Sequence, residues 1–284
     1  MKHFRVDSNG QRINVTDWGG QGRTLLFSHP TGFLGAVWKP VIDELRGIGF
    51  DGRVLSIDHR GHGLSSKPDD GYQWSNFVDD LEGVMARLEL EVALGVGHSG
   101  GATTLAGVAA ADGKRFERLL LIDPILFDPV ADASFAEVDN PMSARTRTRR
   151  MVWPSREYLY EVFASKPPYD TWTEAALRAY VEHGSFDRPD GEIELLCPAR
   201  LEARVYQGAA ESNGFAYLEA LDLPVLVVKG ETTDSFSDER AARAMDRLSQ
   251  GRLLVVPGST HFVPMEFPRA IADLIVEELD DSAA

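Results

Sequence analysis

The sequence predicts an α/β fold, a mainly parallel sheet with helices on both faces, from two observations. Short apolar runs recur along the chain, and amphipathic helical periods lie between most of them. The runs are Thr24 to Ser28, Val54 to Ile57, Ala93 to Val96, Leu119 to Ile122, Pro224 to Val228 and Leu253 to Val256, and each reads as a buried strand. Ahead of them, Phe4 to Val6 and Ile13 to Trp18 read as an antiparallel edge hairpin. Phe77, Leu81, Val84, Met85 and Leu88 recur at the three-to-four spacing of a helix stripe, with Asp79, Asp80 and Glu82 off it. Ile271, Leu274, Ile275 and Leu279 repeat the pattern near the end. In such a fold the active loops lie at the carboxyl ends of the strands.

The alternation breaks between about Pro124 and Leu223, a stretch that looks helical and aromatic, with Trp153, Tyr158, Tyr160, Phe163, Tyr169, Trp172, Tyr180, Phe186 and Tyr206. Pro167 and Pro168 divide it. Because the stretch is inserted between two strands, it is expected to form a cap over the sheet's carboxyl edge. The expected division is a core of residues 1–123 and 224–284 and a cap of residues 124–223. Only Asp280 to Ala284 look like a frayed tail.

With 284 residues, 43% of them hydrophobic and 26% charged, the composition is that of an ordinary globular chain. A net charge of −15 disfavours a general affinity for nucleic acid or an anionic membrane, since the field repels phosphate. No apolar stretch reaches the length of a bilayer span, and the first twelve residues lack the apolar region of a secretory signal, so a cytoplasmic setting is expected. The single cysteine, Cys197, rules out an internal disulfide and a cysteine-rich metal site; among Leu195, Leu196 and Pro198 it reads as buried filler.

Chemistry is announced at Leu94 to Gly101, where an apolar run ends in Gly97-His98-Ser99-Gly100-Gly101 and opens into small residues. A Gly-x-Ser-x-Gly turn from strand to helix lifts the serine hydroxyl clear of the backbone, and the helix N-terminus adds unpaired N–H groups beside it. A serine nucleophile also needs a histidine base and a carboxylate that fixes the histidine tautomer. His261 follows the last strand, in a loop containing Gly258 and Pro264. For the acid, Asp234 after the strand ending at Val228 is favoured, with Asp123 and Glu231 as rivals; Asp123, followed by Pro124, also suits a plain strand-ending turn. The order Ser99, Asp234, His261 is that of one hydrolase class. Two N–H donors are needed for an oxyanion, and Gly100 and Thr31 are the candidates, the latter in the loop His29-Pro30-Thr31-Gly32-Phe33. Phe33, Leu34, Trp153 and Phe262 are expected to line the substrate pocket.

Taken together with Asp58-His-Arg-Gly-His-Gly-Leu-Ser-Ser, these segments resemble the α/β-hydrolase fold family over the whole chain apart from the cap. The resemblance implies an eight-stranded, mostly parallel sheet, a helical cap between the sixth and seventh strands, no cofactor and no metal, and a Ser-His-Asp mechanism. It also implies that Asp58, His59 and His62 form a structural turn beneath the site rather than a metal site. The chain departs from the family's usual His-Gly-x oxyanion loop by placing Pro30 where glycine is usual.

The reading that follows is a serine hydrolase acting on a small, hydrophobic carboxylic ester or lactone. Carbon–carbon bond hydrolases, cofactor-free haloperoxidases and acyltransferases share the triad and stand as alternatives, as does a ligand receptor built on the fold. Dehalogenases and epoxide hydrolases carry aspartate at the elbow, which Ser99 disfavours. His98 is expected to pack rather than react. Arg145, Arg147, Arg149 and Arg150 suit either a solvated helix face or a grip on a substrate carboxylate.

Overall fold

A computed structural model describes residues 1–128 and 140–280. Its centre is one eight-stranded sheet built from β1 (Lys2–Ser8), β2 (Gln11–Asp17), β3 (Thr24–Ser28), β4 (Arg53–Asp58), β5 (Val92–His98), β6 (Phe116–Ile122), β10 (Val225–Gly230) and β11 (Gly251–Val256). The spatial order is β1-β2-β4-β3-β5-β6-β10-β11. The β1–β2 and β2–β4 pairs are antiparallel and every other pair is parallel. The expected α/β class and edge hairpin are therefore found.

Alternation along the strands divides the apolar side chains between two faces. Leu25, Phe27, Leu94, Val96, Leu120, Ile122, Leu226 and Val228 point to one, where α1 (Lys39–Gly47) and α11 (Pro268–Asp280) cover them with Val41, Leu45, Ile271 and Ile275. Leu26, Leu119, Leu121, Val225 and Val227 point to the other, against α2 (Trp74–Arg87), α3 (Gly100–Ala111) and α9 (Asp238–Arg247). The last strand differs from its expected burial. β11 is the sheet edge, paired only with β10, and Leu253, Leu254 and Val255 are exposed there while Val256 is buried.

Phe77, Leu81, Val84 and Met85 of the α2 stripe are buried as their spacing predicts, while Leu88 caps the helix half-buried and Asp80, read as off the stripe, is buried too. Arg60 Nε and Nη2 each donate to its carboxylate at 2.6 Å, and Nη1 donates to Gly71 O at 2.8 Å. A bidentate partner is what lets a carboxylate leave water. Arg60→Met would strand Asp80 in the interior, and a loss of about 3–5 kcal/mol is expected in urea unfolding.

Between β6 and β10 lie α4 (Pro141–Arg147), β7 (Val152–Trp153), α5 (Arg156–Ala164), α6 (Glu174–His183), β8 (Ser185–Asp187), β9 (Ile193–Leu195), α7 (Ala199–Gly208) and α8 (Gly214–Glu219). The segment is not wholly helical: β7, β9 and β8 form a small antiparallel sheet. Within the range expected for the cap, α8 instead packs on α3 and α9 and buries Phe215 and Leu218 in the core. Of the expected frayed tail Asp280 to Ala284, Asp280 closes α11 and residues 281–284 lie outside the described residues.

Candidate active site

Ser99 sits between β5 and α3 at φ 56°, ψ −124°, a conformation that costs an L-residue energy and persists only where its surroundings impose it. The flanking glycines explain how. A β-carbon at Gly97 would lie 2.5 Å from Ala102 Cα, and one at Gly101 would lie 2.4 Å from Ser28 O. Only glycine lets β3, β5 and α3 approach this closely. Ser99 N–H donates to Ile122 O at 2.9 Å, which ties the elbow to the end of β6.

The residue after that carbonyl is Asp123, fully buried and held at φ 43°. Its Oδ1 accepts from His261 Nδ1 and from Thr233 Oγ1, each at 2.8 Å, and its Oδ2 accepts from Gly230 N–H at 2.9 Å. The carboxylate that meets His261 is thus Asp123, not the expected Asp234. Asp234 is exposed and accepts only from Ser235 Oγ, at 3.0 Å, and the Glu231 carboxylate is taken up by Gly258 N–H at 2.7 Å. The physical reason is the strand order: β6 lies between β5 and β10, so its end stands nearer the elbow than the loop after β10 does.

A neutral His261 that donates Nδ1–H to Asp123 has its lone pair on Nε2, the tautomer a general base requires. His98 holds its backbone: Nε2 is 2.8 Å from His261 O, and the two rings are 4.9 Å apart. Burial, followed by the neighbouring His261, keeps the His98 imidazole neutral, far below its usual range. His98 thus packs, as expected, and also holds His261 in place. Ser99 Oγ makes no hydrogen bond among the described residues; such contacts commonly tighten when substrate binds.

The loop after β3 reaches the same place. A β-carbon on Gly100 would lie 3.0 Å from Thr31 Oγ1, so the two expected oxyanion amides are neighbours. Three histidines hold this loop. His29 Nδ1 donates to Pro30 O at 2.8 Å while its Nε2 accepts from His59 N–H at 3.0 Å. His62 Nδ1 donates to Arg60 O at 2.9 Å, and its Nε2 accepts from Gly32 N–H at 3.0 Å. Burial pushes His62 down to about 4, and burial together with His62 pushes His59 down to about 3. Both are therefore neutral at physiological pH, and His62 can accept. Asp58 caps the turn beneath, accepting from Gly35 N–H at 2.7 Å and Leu64 N–H at 2.9 Å. Behind Thr31 and Gly100 lies a cavity of about 10 Å³, the room for about one water molecule, lined also by His29, His62, Trp74 and Val205.

Of the expected pocket residues, Phe33 and Phe262 are brought to the site. Their rings are 6.1 Å apart, and Phe262 lies 5.1 Å from the His261 ring. Leu34 is buried in the core where the chain enters a short 3-10 turn. Trp153 is not brought to Ser99 and His261: among the described residues its ring contacts are with Tyr158 and Phe163, and Arg150 covers its face at 4.4 Å. Trp172, Tyr180 and Tyr169 take the place expected for it, at 5.4, 4.8 and 6.5 Å from the Phe33 ring.

Residues 25–274 match the model of the alpha/beta hydrolase family. The chain is 27% identical over 281 residues to 2-(acetamidomethylene)succinate hydrolase of Mesorhizobium japonicum, covering 98% of this chain and 96% of that one. A crystal structure of E-2-(acetamidomethylene)succinate hydrolase superposes with a TM-score of 0.85 at 26% identity, over 98% of this chain and 99% of that one. A non-heme haloperoxidase of Rhodococcus erythropolis is 26% identical over 271 residues, 91% of this chain and 92% of its own. No helix among the described residues is long and apolar enough to cross a membrane.

Proposed function

Because this chain belongs to the α/β-hydrolase family, we propose that it is a serine hydrolase that cleaves a small carboxylic ester or lactone through an acyl-enzyme on Ser99. The observation that carries this reading is the 2.8 Å hydrogen bond from His261 Nδ1 to the buried Asp123, next to a strained serine elbow. Ser99 Oγ attacks the carbonyl carbon as His261 Nε2 takes its proton. The oxygen that becomes negative is received by the Thr31 and Gly100 N–H groups. His261 then protonates the departing alkoxide, and water, deprotonated by the same imidazole, releases the acid and restores Ser99. Asp123 stays ionised throughout and stabilises the imidazolium.

Phe33, Phe262, Trp172 and Tyr180 support a compact apolar substrate, since packed rings offer area with few polar tips. The similarity to a hydrolase whose substrate name contains an acetamido group favours a second reading, cleavage of an amide by the same array. The test has two parts. A fluorophosphonate probe is expected to add once per chain, on the tryptic peptide holding Ser99. Nitrophenyl esters of rising acyl length, lactones and anilides are then compared, with short esters and lactones expected to turn over fastest. Probe attached elsewhere sinks the mechanism, and anilides cleaved faster than esters move the reading to amide hydrolysis.

A further inference from the structure

The cap places a largely buried ion pair beside Gly32, next to Thr31. Arg149 Nη2 lies 2.6 Å from Glu202 Oε2, with the two side chains 20% and 7% exposed. Arg149 also donates to Cys197 O at 2.9 Å. Glu202 reaches the site itself: a β-carbon on Gly32 would lie 2.5 Å from its Oε1 and 2.9 Å from its Cδ. The carboxylate therefore rests on the residue between Thr31, the expected oxyanion donor, and Phe33, the expected acyl-pocket ring. One turn further along α7, Val205 O accepts from Trp74 Nε1 at 2.9 Å, and the Trp74 ring flanks Gly100. One face of α7 thus meets the oxyanion loop directly at Gly32 and the elbow through Trp74.

The four arginines between Arg145 and Arg150 are not equivalent. Arg145, Arg147 and Arg150 are exposed, and Arg150 lies over Trp153. Arg149 alone is turned inward, and its charge is already matched by Glu202. An acyl group ending in a carboxylate would meet no free cation there, and would have to approach Glu202 in a medium of low dielectric, where like charges repel strongly. An uncharged acyl group meets neither difficulty.

Resting on the acyl-enzyme reading above, we propose that Glu202 sets the charge of the acyl group the site accepts. By neutralising Arg149 beside Gly32, it selects uncharged acyl groups over acyl groups that end in a carboxylate. Removing the carboxylate leaves Arg149 as a free buried cation and admits the anion. Removing the guanidinium leaves Glu202 uncompensated and excludes it further.

The experiment compares kcat/KM for p-nitrophenyl pentanoate and p-nitrophenyl hemiglutarate, which differ by a methyl against a carboxylate at the chain end. Wild type is expected to favour the pentanoate by at least about tenfold. Glu202→Gln is expected to lower that ratio by about tenfold or more, Arg149→Gln to raise it, and Glu202→Asp, which keeps the carboxylate, to hold it near wild type. A wild type that prefers the hemiglutarate overturns the proposal, as does a ratio that neither Gln variant moves. If Glu202→Gln does not fold, as judged by circular dichroism, the wild-type ratio and the direction taken by Arg149→Gln decide. Ser99→Ala separates the two readings: activity that survives it on both esters overturns the acyl-enzyme, whereas Ser99-dependent activity with the wrong charge preference overturns the role of Glu202 alone.

Discussion

Ser99→Ala is expected to lower kcat about a million-fold on the best ester of the panel, leaving a residual rate about 10³–10⁴ above water. The loss is large because nothing else in the array replaces the missing bond. His261 can deprotonate water in place of the serine, but a water molecule in that position is not held by an elbow pinned at φ 56° between β5 and α3. The residual rate comes from the Thr31 and Gly100 amides, which remain. Folding is not at stake, since Ser99 Oγ makes no hydrogen bond among the described residues and alanine keeps the same backbone. Single-turnover kinetics with a thermal melt alongside checks both halves, and a variant within tenfold of wild type would remove Ser99 from the mechanism.

Asp123→Asn is expected to cost about 10⁴ in kcat, and Asp234→Asn to change it less than about twofold. The Asp123 carboxylate accepts from His261, Thr233 and Gly230 at once. An asparagine has one oxygen to offer. If the oxygen faces His261, the amide NH₂ is driven against Gly230 N–H. If it is turned about, the NH₂ faces Nδ1 and forces the proton onto Nε2, where the imidazole can no longer act as a base. Stability should fall as well, by about 1–3 kcal/mol, because either arrangement leaves a buried donor unpaired. Asp234, exposed on its loop, has only Ser235 to lose. The reverse ranking of the two variants would return the acid to Asp234.

That comparison also shows where a sequence stops speaking. The glycine-flanked elbow, the histidine that meets a buried carboxylate and the loop beside Gly100 are legible as places because each is a local pattern: glycines at fixed offsets from Ser99, a histidine after the last apolar run, a loop after β3. The carboxylate that partners His261 is not, since Asp123 and Asp234 both follow a strand and both lie between the serine and the histidine in the chain. What separates them is that β6 stands beside β5 in space, a fact of strand order that no window of residues contains. The surroundings of Trp153, which packs on Tyr158 and Phe163, are hidden for a similar reason. It belongs to β7, one of three strands only two or three residues long, too short for any period to show. The pairing of Arg149 with Glu202 joins residues on opposite sides of that small sheet in sequence, and neither carries a mark of the other. Burial of Asp80 is of the same kind, because its partner Arg60 lies on the turn after β4 rather than on its own helix.

The position of Asp123 bears on how the protein acquires its activity as it folds. The proposed nucleophile, both oxyanion amides and the acid all lie within the first 123 residues, on the ends of β3, β5 and β6, which are adjacent in the sheet. Only His261 comes from elsewhere, 138 residues beyond its carboxylate partner. Closing a chain segment of that length is among the slower events in assembling a fold. Activity regained during refolding is therefore expected to report the docking of the His261 loop on Asp123 rather than the forming of the elbow.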